Sequence, residues 1–447
     1  MRIFELLTAV IDNDIPACSE ESLSAIYGLL AQQNAILANH EILSAKARDE
    51  MIGSLREELK WRARLRNDPA SLHTAAAQWT TAQLTMLRRL EQDRDCLQLQ
   101  LFAGCSIGQI VAIAIDLSDR HDGACAVAIL SFADGGRLVY KPRSLDTESW
   151  FYQFLIQVNG LTPPFSFASL KVLARESYGW VEFALHRTCA CEVELYDYYR
   201  HAGALLCLLR LLRVSDCHFQ NLIACGSQPV LIDAETLFQP LTDGSHDFAI
   251  SNTSMLPAMR RPYDIGALSC SMPQQIVLDL PGFVCSPVTL NPRENLPFRE
   301  DQARSPHLFV EQMEEGFSAT WHFLSEHRAQ IASLLDSARN LPVRVLHRDT
   351  PEYYRQILLF ALGMETDSTL SAGEVEALRR CEVPRFTRIA DENQNGAIVS
   401  GFEAVLQEVA VIDDAGLDRQ LRMLRLLWTI YGGMRGIADE AVRMTPE

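Results

Sequence analysis

Apolar residues in the first hundred positions recur at helical spacing. Leu23, Ile26, Leu29, Leu30 and Leu37 share one face of a 3.6-residue repeat, and Leu84, Leu87, Leu90, Leu97 and Leu101 renew it. This predicts an amino-terminal helical region over residues 1–100, beginning near Ile3. Around Ile107 the apolar runs shorten to strand length. GQIVAIAIDL and ACAVAILSF, the turn Asp134-Gly135-Gly136 and the run RLVYK predict a hairpin, and SLKVLARES and GWVEFAL, about a turn at Tyr178-Gly179, predict two more strands. Together they make an antiparallel lobe over 101–192. Helical spacing returns after Cys191 with Leu195, Tyr198, Tyr199, Leu205, Leu206, Leu208 and Leu209, which lead into the segment DCHFQN. Residues 239–305 are rich in Ser, Pro, Gly and Asn and too long for a plain connector, so a substrate-facing or regulatory loop is expected there. Helical patterns then run to the carboxyl terminus and complete a lobe over 193–447. The fold class is α+β, without internal repeats.

Composition narrows the functional classes. A chain of 447 residues with 48% hydrophobic and 22% charged residues can bury a large core. No stretch reaches the roughly 18 apolar residues of a spanning helix, so no transmembrane segment is expected. The start MRIFELLTAVIDND lacks the features of a secretion signal, which predicts a cytoplasmic protein. A net charge of −17 repels phosphate backbones and argues against nucleic acid as a partner. The twelve cysteines include no C-x-x-C pair and are expected to be reduced. Cys189 and Cys191, one residue apart, are better explained as same-face residues of a strand than as metal ligands.

The informative stretch is VSDCHFQN, Val214 to Asn221, followed by LIACGSQPVLIDAETLF. Kinases place an Asn for Mg²⁺ five residues after a catalytic-loop Asp, and a second metal-binding Asp after a short hairpin. Asp216, Asn221 and Asp233 keep that order and spacing. Two carboxylates and an amide carbonyl are the hard oxygen donors that Mg²⁺ and ATP require. The expected upstream partner is a strand-end lysine that neutralises nucleotide phosphates, and Lys141 in GGRLVYKPRS fits it. No G-x-G-x-x-G loop precedes Lys141. The phosphate cover would come from His121-Asp122-Gly123-Ala124.

With these residues in place, the chain resembles the dehydratase domain of the class II lanthipeptide synthetase (LanM) family. The resemblance rests on LSDRHDGACAV, GGRLVYKPRSL, YGWVEF, SDCHFQNLIACGSQPVLIDAETLF, YDIGALS, RVLHRDT and VPRF, spread in order from Leu117 to Phe386. It implies a lipid-kinase-like bilobal fold, with an antiparallel β amino-terminal lobe and a mostly helical carboxyl-terminal lobe. It implies phosphorylation of Ser and Thr in a ribosomally made precursor peptide, then loss of phosphate to leave dehydroalanine or dehydrobutyrine. Lys141 would bind nucleotide phosphate, Asp216 would orient or deprotonate the hydroxyl, Asn221 and Asp233 would hold Mg²⁺, and His218 would support the loop. For the elimination, the family's residues fall on Asp119 with His121 and on Arg344 with Thr350. Arg344 can fork around phosphate, Thr350 can donate to it, and Asp119 can orient or tune His121. Arg348, between Arg344 and Thr350, would either add positive charge for the phosphate or make a structural ion pair.

Two departures accompany the resemblance. The helical preface is shorter than the family's usual amino-terminal region, which leaves leader binding unassigned. The sequence to Glu447 has no room for the family's cyclase, so a stand-alone dehydratase is expected, working beside a separate cyclase or other tailoring enzyme. Two other readings fit the phosphotransfer residues: a peptide kinase that stops at the phosphorylated product, and a non-catalytic scaffold.

Overall fold

The computed structural model describes residues 19–66, 69–121, 123, 125–240, 248–257, 264–269, 274–276, 288–290, 294–300, 302–304, 306–393 and 399–444. Among these residues the chain is a mixed α+β protein with eleven α-helices and small antiparallel sheets. The expected helix start near Ile3 lies outside them. No helix of the described residues is long and apolar enough to cross a membrane.

Three helices open the fold: α1 (Glu20–Leu37), α2 (Ala45–Arg66) and α3 (Pro69–Gln100). Ser19 caps α1 by accepting from Ser22 N at 3.1 Å, and Glu20 and Glu21 in the first turn complement the helix dipole. Along α2, Ala47, Met51, Leu55, Leu59 and Ala63 are buried at a spacing of four, so one stripe faces inward. Its partner is a five-stranded antiparallel sheet of order β1-β2-β3-β5-β4. The strands are β1 (Ile110–Ala114), β2 (Ala128–Phe132), β3 (Arg137–Lys141), β4 (Val172–Ala174) and β5 (Gly179–Glu182), with α4 (Asp146–Gly160) inserted after β3. Gly135, at φ +87°, supplies the left-handed turn between β2 and β3. Gly179 is the first residue of β5 rather than part of the preceding turn.

Strand alternation divides the sheet's side chains between two environments. Ile110, Ile113, Leu130, Leu138, Tyr140, Leu173 and Trp180 share one core with α1, α2 and α3. Ile129, Val139 and Val181 line a cleft instead.

A second core surrounds α5 (Glu192–Leu211), which is buried along most of its length, and α6 (Val310–Glu326). These helices touch backbone to backbone through Gly203 and Gly316. A Cβ on Gly203 would collide with the carbonyl of Met313, and one on Gly316 with the carbonyl of Arg200. A hairpin of β6 (Leu222–Cys225) and β7 (Gln228–Leu231) turns at Gly226, φ +63°. Within 239–305, the described residues Phe248, Ile250, Met255 and Leu256 are buried, and short ribbons pair β8 (Gln274–Ile276) with β9 (Val288–Leu290) and β10 (Phe298–Arg299) with β11 (Gln302–Ala303). The expected loop therefore contains core anchors.

Farther on come α7 (Arg328–Leu335), β12 (Pro342–Val345), α8 (Thr350–Ala361), α9 (Ala372–Arg379), β13 (Phe386–Ile389), α10 (Gly401–Ala410) and α11 (Asp414–Met444). β12 and β13 pair antiparallel with Arg344 opposite Thr387 and Val345 opposite Phe386. Cys189 is buried and Cys191 is the exposed N-cap of α5, so the two do not share a strand as the sequence suggests.

Candidate active site

A cleft of about 380 Å³ opens between the sheet and the β6–β7 hairpin. Its apolar end follows from strand register: Ile129 lies opposite Val139, and Val139 opposite Val181, so three β-branched side chains form one row. Ile223 and Ile232 contribute from the hairpin side. Two residues beyond Val139, on the same face, Lys141 brings a buried ammonium to the cleft. Its Nζ lies 2.8 Å from Ile232 O, 3.3 Å from Glu148 Oε1 and 3.7 Å from Asp233 Oδ1.

Asp216 sits in the loop after α5 with φ +63°, a left-handed conformation that the surrounding backbone must hold. It does so through Cys217 N to Thr253 O at 2.9 Å, Phe219 N to Ile265 O at 3.0 Å and Asn221 Nδ2 to Asp216 O at 2.8 Å. His218 braces the same loop: Nδ1 accepts from Gln220 N at 3.2 Å, and Nε2 lies 3.3 Å from Asn221 Nδ2. Burial pushes the Asp216 carboxyl up to about 7; Arg344 opposes this and Asp233, Glu235 and Asp119 add to it. Asp233, just after β7, is likewise raised by burial and by Glu235, against the pull of Lys141 and Arg143. Both carboxyls are raised chiefly because burial disfavours their charged form. Among the described residues no three His, Cys, Asp or Glu side chains converge on one metal position. Asn221 and Asp233 offer an amide and a carboxylate oxygen, a donor pair that could hold a cation such as Mg²⁺ that keeps waters and substrate phosphates among its ligands.

Asp119, His121, Arg344 and Thr350 line the same cleft. Thr350 Oγ1 donates to Asp119 Oδ2 at 3.3 Å, and Tyr354 OH donates to Asp119 Oδ1. His121 is hydrogen-bonded through Nδ1 to Val383 O at 2.6 Å, not to Asp119. A carbonyl partner fixes the proton on Nδ1 and leaves Nε2 as the basic nitrogen. Burial holds the His121 imidazole below its ordinary pKa; Asp119 opposes this and Arg344 reinforces it. Thr350 also opens α8 and lines the cleft with Asp349 and Pro351; the Glu352 and Tyr353 amides that follow donate to Asp349 O at 3.0 and 3.3 Å. Arg348 is committed to Thr369 at 2.6 Å, Glu374 at 3.3 Å and Asp367 at 3.5 Å, so of its two expected roles it has the ion pair.

A hub that sequence reasoning left unassigned joins the two residue sets. Glu235, 5% exposed, is paired with Arg344, with Arg143 Nε at 3.3 Å and with Arg385 Nη2 at 3.2 Å. Burial alone would raise its pKa, yet Arg143, Arg344 and Arg385 hold it well below the usual carboxylate range. Arg143 also pairs with Glu148 and, at 2.8 Å, with Asp233. Glu148, in the first turn of α4, is held ionised against burial by Arg143 and Lys141. The signals were present: Glu148 follows the strand-end lysine by seven residues, in the first turn of the next helix, and Glu235 stands two residues after Asp233. Asp122 and Ala124, expected to cover phosphates, lie outside the described residues.

The family model described as "Domain of unknown function (DUF4135)" matches residues 70–362. The chain is 25% identical over 331 residues to the lacticin 481/lactococcin biosynthesis protein LcnDR2 of Lactococcus lactis subsp. lactis, an alignment covering 62% of this chain and 36% of that relative. The chain thus spans about a third of the length of the curated relative it matches.

Proposed function

The chain belongs to the DUF4135 family, which is associated with the class II lanthipeptide synthetases, and on that premise we propose that it dehydrates Ser and Thr of a ribosomally made precursor peptide, by ATP-dependent phosphorylation and then phosphate elimination. The observation that carries this reading is the meeting of two residue sets in one cleft. Lys141, Asp216, Asn221 and Asp233 line it together with Asp119, His121, Arg344 and Thr350. The buried Lys141–Glu148 pair, the apolar row above the cleft and the Asp216–Asn221–Asp233 set support a kinase-like first step on a lipid-kinase-like architecture.

In that step the apolar row would take the nucleotide base, and Lys141 would lie against its phosphates. Asp216, poised near neutrality, would accept the hydroxyl proton as the substrate oxygen attacks the γ-phosphorus and ADP leaves. Mg²⁺ held by Asn221 and Asp233 would neutralise the charge on the phosphates. In the second step His121 Nε2 would take the α-proton. The Cα=Cβ bond forms, the Cβ–O bond breaks, and phosphate leaves with the electron pair. Arg344 and Thr350 would hold that phosphate.

Incubation with ATP, Mg²⁺ and the cognate precursor, read by mass spectrometry, tests this: loss of water is expected. Retained phosphate as the sole product would leave only the kinase. Arg344→Ala should accumulate phosphopeptide and Asp233→Ala should form neither product; loss of phosphorylation in both would refute the division of roles.

A further inference from the structure

The cations of the cleft differ in how far their donors are used. Lys141 is engaged by a carbonyl and two carboxylates, and Arg143 is shared among Glu148, Asp233 and Glu235. Arg344 binds Glu235 through its side chain, and its backbone N–H donates to Glu235 O at 2.8 Å. Arg385 goes further: its one acceptor among the described residues is likewise Glu235, at 3.2 Å from Nη2, and its Nε is buried with no partner. A charged donor left unmade in a low-dielectric wall is costly unless something else pairs with it.

The ribbon and the shared carboxylate give the placement. Val345 lies opposite Phe386 at the end of the β12–β13 ladder, and Arg385 is the residue just before β13. Arg344 and Arg385 reach the same carboxylate, Glu235. Leu346, Arg344 and Arg385 all line the cleft. Both guanidiniums depend on one carboxylate, Glu235, while Arg143 is also served by Glu148 and Asp233. The segment before β13 is tied to the His121 segment as well: Val383 N donates to Arg120 O at 3.1 Å and Val383 O accepts from His121 Nδ1. Arg385 is therefore carried two residues from the carbonyl that fixes the candidate base. It also stands where the cleft adjoins a second cavity along α3, since both are lined by Arg143, Pro142, Cys125 and Arg385.

We propose that Arg385 is a second phosphate ligand of this site, acting with Arg344 on the phosphate of a phosphoserine or phosphothreonine side chain. This rests on the dehydratase reading. A phosphomonoester carries about −1.5 to −2 charge at neutral pH, more than one guanidinium already shared with Glu235 can balance. Turning the Arg385 fork from Glu235 toward such a dianion gives its unused donors partners. As the Cβ–O bond breaks, the electron pair goes to the phosphate, and two forks then share the charge that one carboxylate had held between them.

The test uses the full chain and two probes, a synthetic precursor peptide already carrying phosphoserine, and inorganic phosphate. Arg385→Gln should slow elimination from the phosphopeptide about 100-fold and raise the inhibition constant for inorganic phosphate at least about 10-fold. Arg385→Lys, which keeps the charge without the fork, should recover part of both. A Gln variant that eliminates and is inhibited by phosphate like the wild type overturns the proposal. So does a Lys variant as impaired as the Gln variant in both readouts, since that marks a structural role. If the wild type itself leaves the phosphopeptide intact, the dehydratase reading fails. The inhibition constant is then replaced by binding of inorganic phosphate, and equal affinity in wild type and Arg385→Gln sinks the ligand assignment as well.

Discussion

Glu235→Gln removes one charge and little volume, yet it alters both residue sets of the cleft. The carboxylate is shared by Arg344, Arg143 at 3.3 Å and Arg385 at 3.2 Å. Taking one partner from a buried ion pair costs about 3–5 kcal/mol; Gln keeps one acceptor oxygen, so about 3 kcal/mol is expected. At about 2.1 cal/mol/K per residue the unfolding entropy of a chain this long is near 0.9 kcal/mol/K, so Tm should fall by about 3 °C at pH 7. The sign with pH follows from the depressed pKa of Glu235. Its contribution is complete above the unfolded value near 4.5 and is lost as pH falls through the much lower folded value. The Tm gap between wild type and variant should therefore persist from pH 7 down to about 4.5 and narrow only below that. Losing Glu235 also removes one of the charges that raise Asp216, so the acid limb of the phosphorylation rate should move to lower pH. Elimination should drop about 100-fold, because Arg344 and Arg385 lose the group that aligns them. Differential scanning fluorimetry from pH 4 to 8 and single-turnover rates on peptide and phosphopeptide measure all of this. An unchanged Tm at pH 7 together with an unchanged acid limb would refute the reasoning.

Three further outcomes are expected. Single-turnover phosphorylation should rise with pH through about 7, where Asp216 loses its proton, and Asp216→Asn should abolish the rise along with the activity; a wild-type profile flat from pH 6 to 8 would remove Asp216 as the base. Glu148→Gln weakens the Lys141 pair and should lower phosphorylation about 100-fold while leaving elimination from phosphopeptide largely intact, measured on the two substrates separately. Gly203→Ala should cost about 1–3 kcal/mol because its Cβ meets the Met313 carbonyl across α5 and α6, whereas Gly28→Ala, with open space at its Cβ, should stabilise α1 by about 0.5–1 kcal/mol; urea melts of both decide it.

How much of this was legible before the structure depended on whether a signal was local. The helices of the first hundred residues, the β2–β3 hairpin and the spacing of Asp216, Asn221 and Asp233 depend on neighbours a few residues apart, and those patterns are printed in the chain. That Lys141 meets Asp233 depends on the end of the sheet's central strand and a hairpin coming together 92 residues apart, and only the kinase-like order suggested it. Glu235 was quoted but not assigned, because a carboxylate reveals its role only when its three arginines, from three separate segments, are in place. Of the two roles expected of Asp119 toward His121, its charge acts on the imidazole but its oxygens do not orient it, for a related reason. Asp119 is nearer in sequence, but Thr350 and Tyr354 occupy its oxygens, and the imidazole turns to Val383 from 262 residues away. The 239–305 segment reads by composition as a substrate-facing or regulatory loop, since core anchors such as Ile250 and Leu256 are too sparse to give a period.

The sheet between the two cores has a practical consequence for dissecting this protein. The family match spans residues 70–362, but a polypeptide trimmed to that window would not be a folding unit. It would discard α1 and α2 and bare the side of the sheet that holds Ile110, Leu130, Leu138 and Trp180. It would also strip β13 from β12 and remove the Val383 carbonyl, Arg385 and the Phe402 and Trp428 side chains of the second core. Such a fragment would aggregate or melt for reasons unrelated to chemistry, so its silence in an assay would say nothing about catalysis. For this chain, the span that homology recognises and the span that cooperatively folds are different lengths, and only the longer one can be dissected biochemically.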